Sequence, residues 1–273
     1  DNAARRAVVW SVNGVVDSSS TTESFNYLPI NDGTYTITVE VIDRLLDSDF
    51  VHSAPAANVT VFNAKPTTVV NNVVGSENSL LTLTGSFDDQ GLDDAHTVSI
   101  DWGDGTSPSL PIAADGTFSA SHIYLQDSLG ETDGVYKAII RISDGIDTRE
   151  QTVLITVLNE APQAISDLLT TTNEQTPQTY VAAQFLSNDT DAGTLDTKTL
   201  TAVSAFSLLG ARLTLNADGS VTYDPSDSAP LNALASTGTD IQTSANDSFG
   251  YTISDEAGGS STATAILNVS GIN

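Results

Sequence analysis

The sequence predicts an all-β chain built as a tandem array of β-sandwiches, on three observations. Strand-length runs alternate with a period of two: Tyr136, Ala138, Ile140 and Ile142 share one face, and Lys137, Ile139 and Arg141 the other. That is the pattern of a half-buried strand. Landmarks recur at fixed spacing: Tyr35 to Tyr136 and Asp43 to Asp144 are each 101 residues, and Asn63-Ala64-Lys65-Pro66 precedes Asn159-Glu160-Ala161-Pro162 by 96. Shared offsets mark repeated modules. No run carries a helical period, and none approaches the roughly 20 apolar residues that cross a bilayer. At 273 residues the chain suits two or three sandwiches of about 100 residues each.

Residues 1–64 read as an incomplete sandwich. Val8-Val9-Trp10-Ser11-Val12-Asn13-Gly14 is one strand running into a turn, and Gly33-Thr34-Tyr35 through Asp43 is a second. Too little chain precedes Trp10 for the opening strands, so the module either begins part-way or takes those strands from another chain. An open sheet edge is otherwise an aggregation hazard. Residues 65–158 read as a complete module. Leu80–Gly85 is an early strand, Asp115-Gly116 a hairpin turn, and Val153, Ile155 and Val157 the inner face of the last strand. Trp102 on one sheet is expected to face Tyr136 on the other, filling an immunoglobulin-like core. Residues 159–273 form a third module, with a hairpin from Leu213 to Pro225 and a closing strand pair from Asp247 to Thr264. Each Asn-x-x-Pro reads as a short, stiff linker, because proline fixes an extended step and donates no hydrogen bond.

Composition narrows the partners. The net charge of −26 divides as −5, −10 and −11 over residues 1–64, 65–158 and 159–273. Nucleic acid is excluded, since phosphate contacts need clustered Lys and Arg, and direct membrane insertion is not expected. Divalent cations are favoured, because their binding relieves self-repulsion. There is no cysteine, hence neither disulfide nor thiolate chemistry. Such an array fits a bacterial or archaeal protein outside the cell. Methionine is absent too, so the chain reads as an interior or processed fragment whose secretion signal and anchor lie elsewhere.

Two resemblances follow from quoted motifs. Asp101-Trp102-Gly103-Asp104-Gly105-Thr106, then His122-Ile123-Tyr124, then Gly134 through Gly145 closely resemble the polycystic-kidney-disease (PKD) domain, an extracellular immunoglobulin-like module. The opening Asn159–Asp167, Leu186–Asp191, the Leu213–Pro225 hairpin and the Asp247–Thr264 ending resemble the VCBS and related cadherin-like repeats of large bacterial surface proteins. The resemblances imply tandem Ig-like/cadherin-like β-sandwiches in a linear array: a partial PKD-like module at 1–64, a PKD-like module at 65–158 and a VCBS/cadherin-like module at 159–273.

The chemistry on offer is calcium. Ca²⁺ wants six to eight oxygens at about 2.3–2.6 Å. Asn188-Asp189-Thr190-Asp191-Ala192-Gly193, with Asp196, alternates aspartates around a glycine that permits a sharp turn. The cadherin-like resemblance adds the linker residues Asn159 and Glu160 and the strand-end Asp255 as ligands near a junction. In the middle module Asp88, Asp89, Asp93 and Asp94 crowd seven residues, with Asn63 and Asp144 near the module ends. Carboxylates so close repel one another unless a cation sits among them. The competing reading is a run of Asx turns in which side chains cap their own backbone.

No catalytic constellation competes. His52, His96 and His122 are far apart, no nucleophile or phosphate-loop motif occurs, and Asp101 and Asp104 share one turn instead of straddling a sugar. The expected role is a non-catalytic, extracellular or cell-surface spacer stiffened by calcium, serving adhesion or a surface layer. Its partners would be neighbouring modules of the same or an identical chain, and a cell-surface glycan or protein. Two alternatives remain: a subunit of a self-assembling filament or lattice using strand exchange, and an ancillary substrate-binding region of a secreted hydrolase.

Overall fold

A computed structural model describes residues 6–17, 22–44, 48–91, 94–106, 108–110, 116–127, 134–234 and 243–272. The chain is all-β, with β-sandwich architecture; the described helices are two of four residues each. Among the described residues no helix is long and apolar enough to cross a membrane.

The strands fall into three sets. The first is one sheet of β1 (Arg6–Val12), β2 (Val15–Val16), β3 (Gly33–Arg44), β4 (Asp49–Ser53) and β5 (Ala57–Val61), ordered β2-β1-β3-β4 with β5 also on β3. An aromatic row lies along it: Trp10 stacks on Phe25 at 5.4 Å, Phe25 on Tyr27 at 6.0 Å, and Tyr27 tilts onto Tyr35 at 5.5 Å.

The second set comprises β6 (Thr67–Val70), β7 (Val73–Ser76), β8 (Leu80–Asp88), β9 (Thr97–Asp101), β10 (Ser109–Leu110), β11 (Thr117–Ile123), β12 (Gly134–Ser143) and β13 (Thr148–Leu158). They make two sheets, β10-β9-β12-β13-β7 and β11-β8-β6. Alternation decides the inner faces: Val98, Ile100, Ala138, Ile140 and Ile142 are fully buried, and Lys137 is exposed. The expected opposition of Trp102 and Tyr136 across two sheets does not occur. Trp102 directly follows β9, and Tyr136 lies on β12, its hydrogen-bonded neighbour; the two belong to one sheet. The ring that answers Tyr136 is Tyr124, just past β11 of the other sheet, stacked at 4.2 Å. Asp115, in the expected Asp115-Gly116 hairpin turn, lies outside the described residues.

The third set comprises β14 (Asp167–Leu168), β15 (Thr172–Asn173), β16 (Gln178–Tyr180), α1 (Ala183–Leu186), β17 (Thr199–Val203), β18 (Arg212–Leu215), β19 (Val221–Asp224), α2 (Ala229–Asn232), β20 (Ser244–Ser254) and β21 (Ser260–Ser270). One sheet runs β14-β21-β20-β17 with β15 also on β21, and the other runs β16-β19-β18. Both feed one core around Tyr180, Phe185, Tyr223, Phe249, Tyr251 and Leu267. The expected hairpin is present as β18–β19, with Leu213 opposite Tyr223.

By compactness the chain forms two units. Unit 1 takes residues 1–71, 83–120 and 138–153; unit 2 takes 72–82, 121–137 and 154–273. Each contains one acidic corner.

Candidate metal centre

The turn that looks most like a site in the sequence proves self-contained. In the Trp102–Thr106 turn, Asp101 Oδ1 accepts from Gly103 N–H at 3.0 Å and Asp104 Oδ1 from Thr106 N–H at 3.1 Å. Trp102 N–H closes the loop on Thr106 O at 3.2 Å. Gly103 and Gly105 both have positive φ, 80° and 96°, which a side chain would resist. These aspartates hold a turn.

In unit 2 the loop Asp191–Asp196 folds on itself. Asp191 Oδ1 accepts from Gly193 N–H at 3.1 Å, and Asp196 N–H donates to Gly193 O at 2.9 Å. A Cβ on Gly193 would overlap Asp196 Oδ2 and stand 2.6 Å from Glu77 Oε2, so only glycine lets the backbone press this close. Glu77, 2 % exposed, comes from the segment between β7 and β8. Its N–H donates to Leu158 O at 3.1 Å, its Oε1 accepts from Glu160 N–H at 2.8 Å, and its Oε2 from Asp127 N–H at 3.1 Å. Carboxylate oxygens of Glu77, Asp191 and Asp196 all lie within 4.8 Å of one another. Beside them Asn159 Nδ2 donates to Asp255 Oδ2 at 3.1 Å, and Asp255 Oδ1 accepts from Gly259 N–H at 2.8 Å.

The electrostatics of this corner are unfavourable without a cation. Asp191 Oδ2, Asp196 Oδ2 and Asn159 Oδ1 are buried with no hydrogen-bond partner. Burial, and then repulsion from Glu77, Asp191 and Asp127, pushes Asp196 up to about 7. Burial also raises Glu77 and Asp191, the latter further through Asp255. A set made wholly of carboxylate and amide oxygens, with neither sulfur nor imidazole, suits a hard cation such as Ca²⁺.

Unit 1 repeats the plan. In Asp89–Asp94, Asp89 Oδ1 accepts from Gly91 N–H at 3.0 Å, and Asp94 N–H donates to Gly91 O at 3.2 Å. A Cβ on Gly91 would overlap Asp94 Oδ2 and sit 3.0 Å from Asn31 Oδ1. Asn63 Nδ2 donates to Asp144 Oδ2 and to Asp147 Oδ2, both at 3.0 Å. Oxygens of Asp89, Asp94 and Asp144 lie within 4.8 Å of one another. Asn31 Oδ1 and Asp94 Oδ2 are buried without a partner. His96 Nε2 sits 3.0 Å from Asp89 Oδ2, with its ring against Phe87. Burial pushes Asp144 up, but donors from Asn63, Asp147 and Ile146 outweigh it and leave the carboxyl below its ordinary value.

Thus Asp191, Asp196, Asn159 and Asp255 gather in one corner, and Asp89, Asp94, Asn63 and Asp144 in the other. Glu160 reaches its corner through its main chain, its side chain being exposed. Asp88 is exposed at the end of β8, where its carbonyl accepts from Thr67 Oγ1. Asn188 Nδ2 donates to the carbonyls of Ile165 and Ser166. Asp189, 7 % exposed, accepts from Ile165 N–H at 2.7 Å, near Asp167 and Tyr251 and not with the Glu77 group. Asp93 lies outside the described residues. Sequence reasoning missed Glu77, Asp127 and Asn31. The available signal was Asp-x-Gly-x-x-Asp, present at both 89–94 and 191–196.

Residues 159–271 match the family described as the bacterial cadherin-like domain. No curated protein matches the chain. Among solved structures the chain is similar to the endo-fucoidan hydrolase MfFcnA4 of glycoside hydrolase family 107, at 16% identity and a TM-score of 0.32 over 97% of this chain. It spans only 39% of that hydrolase. It is also similar to Drosophila N-cadherin EC1-4, at 12% identity and TM-score 0.36 over 98% of this chain and 67% of that one. A third likeness is the ICAM-5 D1-D4 ectodomain fragment, at 12% and 0.39 over 98% and 68%.

Proposed function

We propose that the chain is a non-catalytic extracellular spacer whose acidic corners hold calcium. The observation that carries this reading is the Glu77–Asp191–Asp196 group: three carboxylates within 4.8 Å, two of them with a buried, unpartnered oxygen. The ligands come from far-separated stretches, at 77, 159, 191–196 and 255. One ion therefore fastens the segment before β8 to the loops of the third strand set, within unit 2. The cadherin-like match at 159–271 supports an adhesive or structural role. In this reading the modules run 1–64, 65–158 and 159–273, each gathering its own sheets, and the host is a large surface or secreted protein.

Extracellular modules bind calcium with Kd on the order of 10⁻⁴–10⁻³ M. At tenfold excess one site adds about 1.4 kcal/mol, which shifts the Tm by roughly 3–6 °C in a domain of this size. Thermal melts with calcium and with chelator test the proposal. A rise of that order per occupied corner is expected. An unchanged Tm overturns it.

A further inference from the structure

Within the third strand set, outside the Glu77 group, two further aspartates are buried together. Asp167 opens β14 and Asp189 stands in the loop after α1; they are 8 % and 7 % exposed. Tyr251, buried in the middle of β20, meets them through its hydroxyl. Tyr251 Oη lies 2.6 Å from Asp167 Oδ2, 2.9 Å from Ile165 O and 3.5 Å from Phe185 O. Asp189 Oδ1 accepts from Ile165 N–H at 2.7 Å. Asn188 Nδ2 donates to Ile165 O at 3.2 Å and to Ser166 O at 3.3 Å.

Counted by donors and acceptors, this group is short of hydrogens. A tyrosine hydroxyl has one to give and an ionised carboxylate has none. Tyr251 faces three oxygens with its one proton, and Asp189 Oδ2 is buried with no hydrogen-bond partner. Burial raises the carboxyl of Asp167; donors from Tyr251 and Asn188 offset part of this, and Asp189 repels it further. Burial, then the bond to Asp167, push the Tyr251 hydroxyl up, so it keeps its proton. Lys198 attracts Asp189 from a distance but does not bond Oδ2. Buried carboxylates so placed are unfavourable unless a positive charge stands among them. We infer that Asp167 and Asp189 hold a hard divalent cation inside the 159–273 module, with Tyr251 positioning Asp167. Only carboxylate, carbonyl and hydroxyl oxygens are present, which suits Ca²⁺ or Mg²⁺ over softer metals. Every residue comes from one strand set, so the ion fastens the segment around β14 and the loop after α1 to β20. The inference does not rest on the calcium reading of the corners, since Glu77 is no member of this group. It also gives Asp189 a ligand role that the Asp191–Asp196 loop does not.

Burial of both carboxylates makes this an occluded site, and retention is what tests it. The 273-residue chain is purified in calcium and magnesium, desalted into metal-free buffer and analysed by atomic emission. One ion per chain should remain, because corners with Kd on the order of 10⁻⁴–10⁻³ M empty on desalting. D167N should retain none, whereas E77Q and D94N should each retain it. A wild type without a retained ion overturns the inference, and so does an ion that D167N keeps or E77Q removes. Y251F spares both carboxylates. Its ring still packs on Phe185, 5.3 Å away, and only the hydroxyl that orients Asp167 is lost. Against a graded series of chelators, Y251F should surrender the ion at least about tenfold more readily than wild type. Equal retention removes Tyr251 from the site and, with it, the donor count behind the inference. If D167N does not fold, Y251F decides alone. The rival occupant is a proton shared by the two aspartates. A carboxylic-acid infrared band at neutral pH, present in a wild type that retains no ion and absent in D167N, assigns that proton and refutes the cation.

Discussion

The two acidic corners share a scaffold and differ in charge. In both, an Asp-x-Gly-x-x-Asp loop is folded by the same pair of bonds around its glycine, and an Asn in the preceding linker holds a strand-end Asp at 3.0 or 3.1 Å. Both loops carry a nitrogen-bearing side chain two residues on, His96 in one and Lys198 in the other. The long-range partners diverge. Tyr136 Oη donates to Asp127 O, and Tyr35 Oη donates to Asn31 O, so an aspartate in unit 2 corresponds to an asparagine in unit 1. Unit 2 also has Glu77, for which the unit 1 corner shows no counterpart among the described residues. The local loop sets where oxygens point; contacts distant in sequence set how much charge meets there. The unit 2 corner should therefore bind calcium more tightly.

The largest expected effect comes from removing what only one corner has. E77Q should weaken the tighter of two calorimetric binding events by at least about tenfold, or about 1.4 kcal/mol, and leave the weaker one in place. D94N should do the reverse. If either substitution weakens both events equally, the corners act as one coupled site and the comparison fails. A smaller effect comes from giving unit 1 the charge it lacks. N31D places a carboxylate where Asn31 Oδ1 is buried and unpartnered. A threefold to tenfold gain at the weaker event, roughly 0.6–1.4 kcal/mol, is expected. No gain would mean that Asn31 lies outside the coordination sphere.

Legibility in the sequence followed range. Strands and the Leu213–Pro225 hairpin could be read because period two and turn residues are local signals. Asp89 with Asp94, and Asp191 with Asp196, sit within six residues of each other, on loops whose glycine is visible in the sequence. Glu77 was invisible as a ligand because nothing within ten residues of it is acidic; its role depends on the parallel β7–β13 pairing. The same limit misplaced Trp102 and Tyr136, since alternation tells inside from outside but not which sheet a strand joins. Asp189, two residues from Asp191, reads as a ligand by proximity, yet it faces Tyr251 and Asp167 because adjacent odd positions in a turn do not keep one direction.

The smallest and most discriminating effect is a difference in sign with pH in chelator. In unit 2 burial raises the carboxyls of Glu77, Asp191 and Asp196. Repulsion from neighbouring acids adds to each, Asp255 for Asp191 and Glu77, Asp191 and Asp127 for Asp196, which reaches about 7. A raised group favours the fold fully below its ordinary value, near 3.8 for Asp and 4.5 for Glu, and loses that contribution as pH climbs through the folded value. In unit 1, Asp144 is lowered; its contribution is present above 3.8 and is lost only as pH falls through the lower folded value. Between pH 5 and 8 the chelated unit 2 corner should weaken while the unit 1 corner holds. Overall self-repulsion also grows over that range, so the comparison is between wild type and D196N. The Tm of D196N should fall less steeply with pH, and D144N should not flatten the slope. Parallel slopes in all three proteins would mean that bulk charge, and not the crowded corner, sets the response. Calcium should erase the difference between wild type and D196N in slope but not in height, because an ion that needs those carboxylates ionised removes the penalty for ionising them.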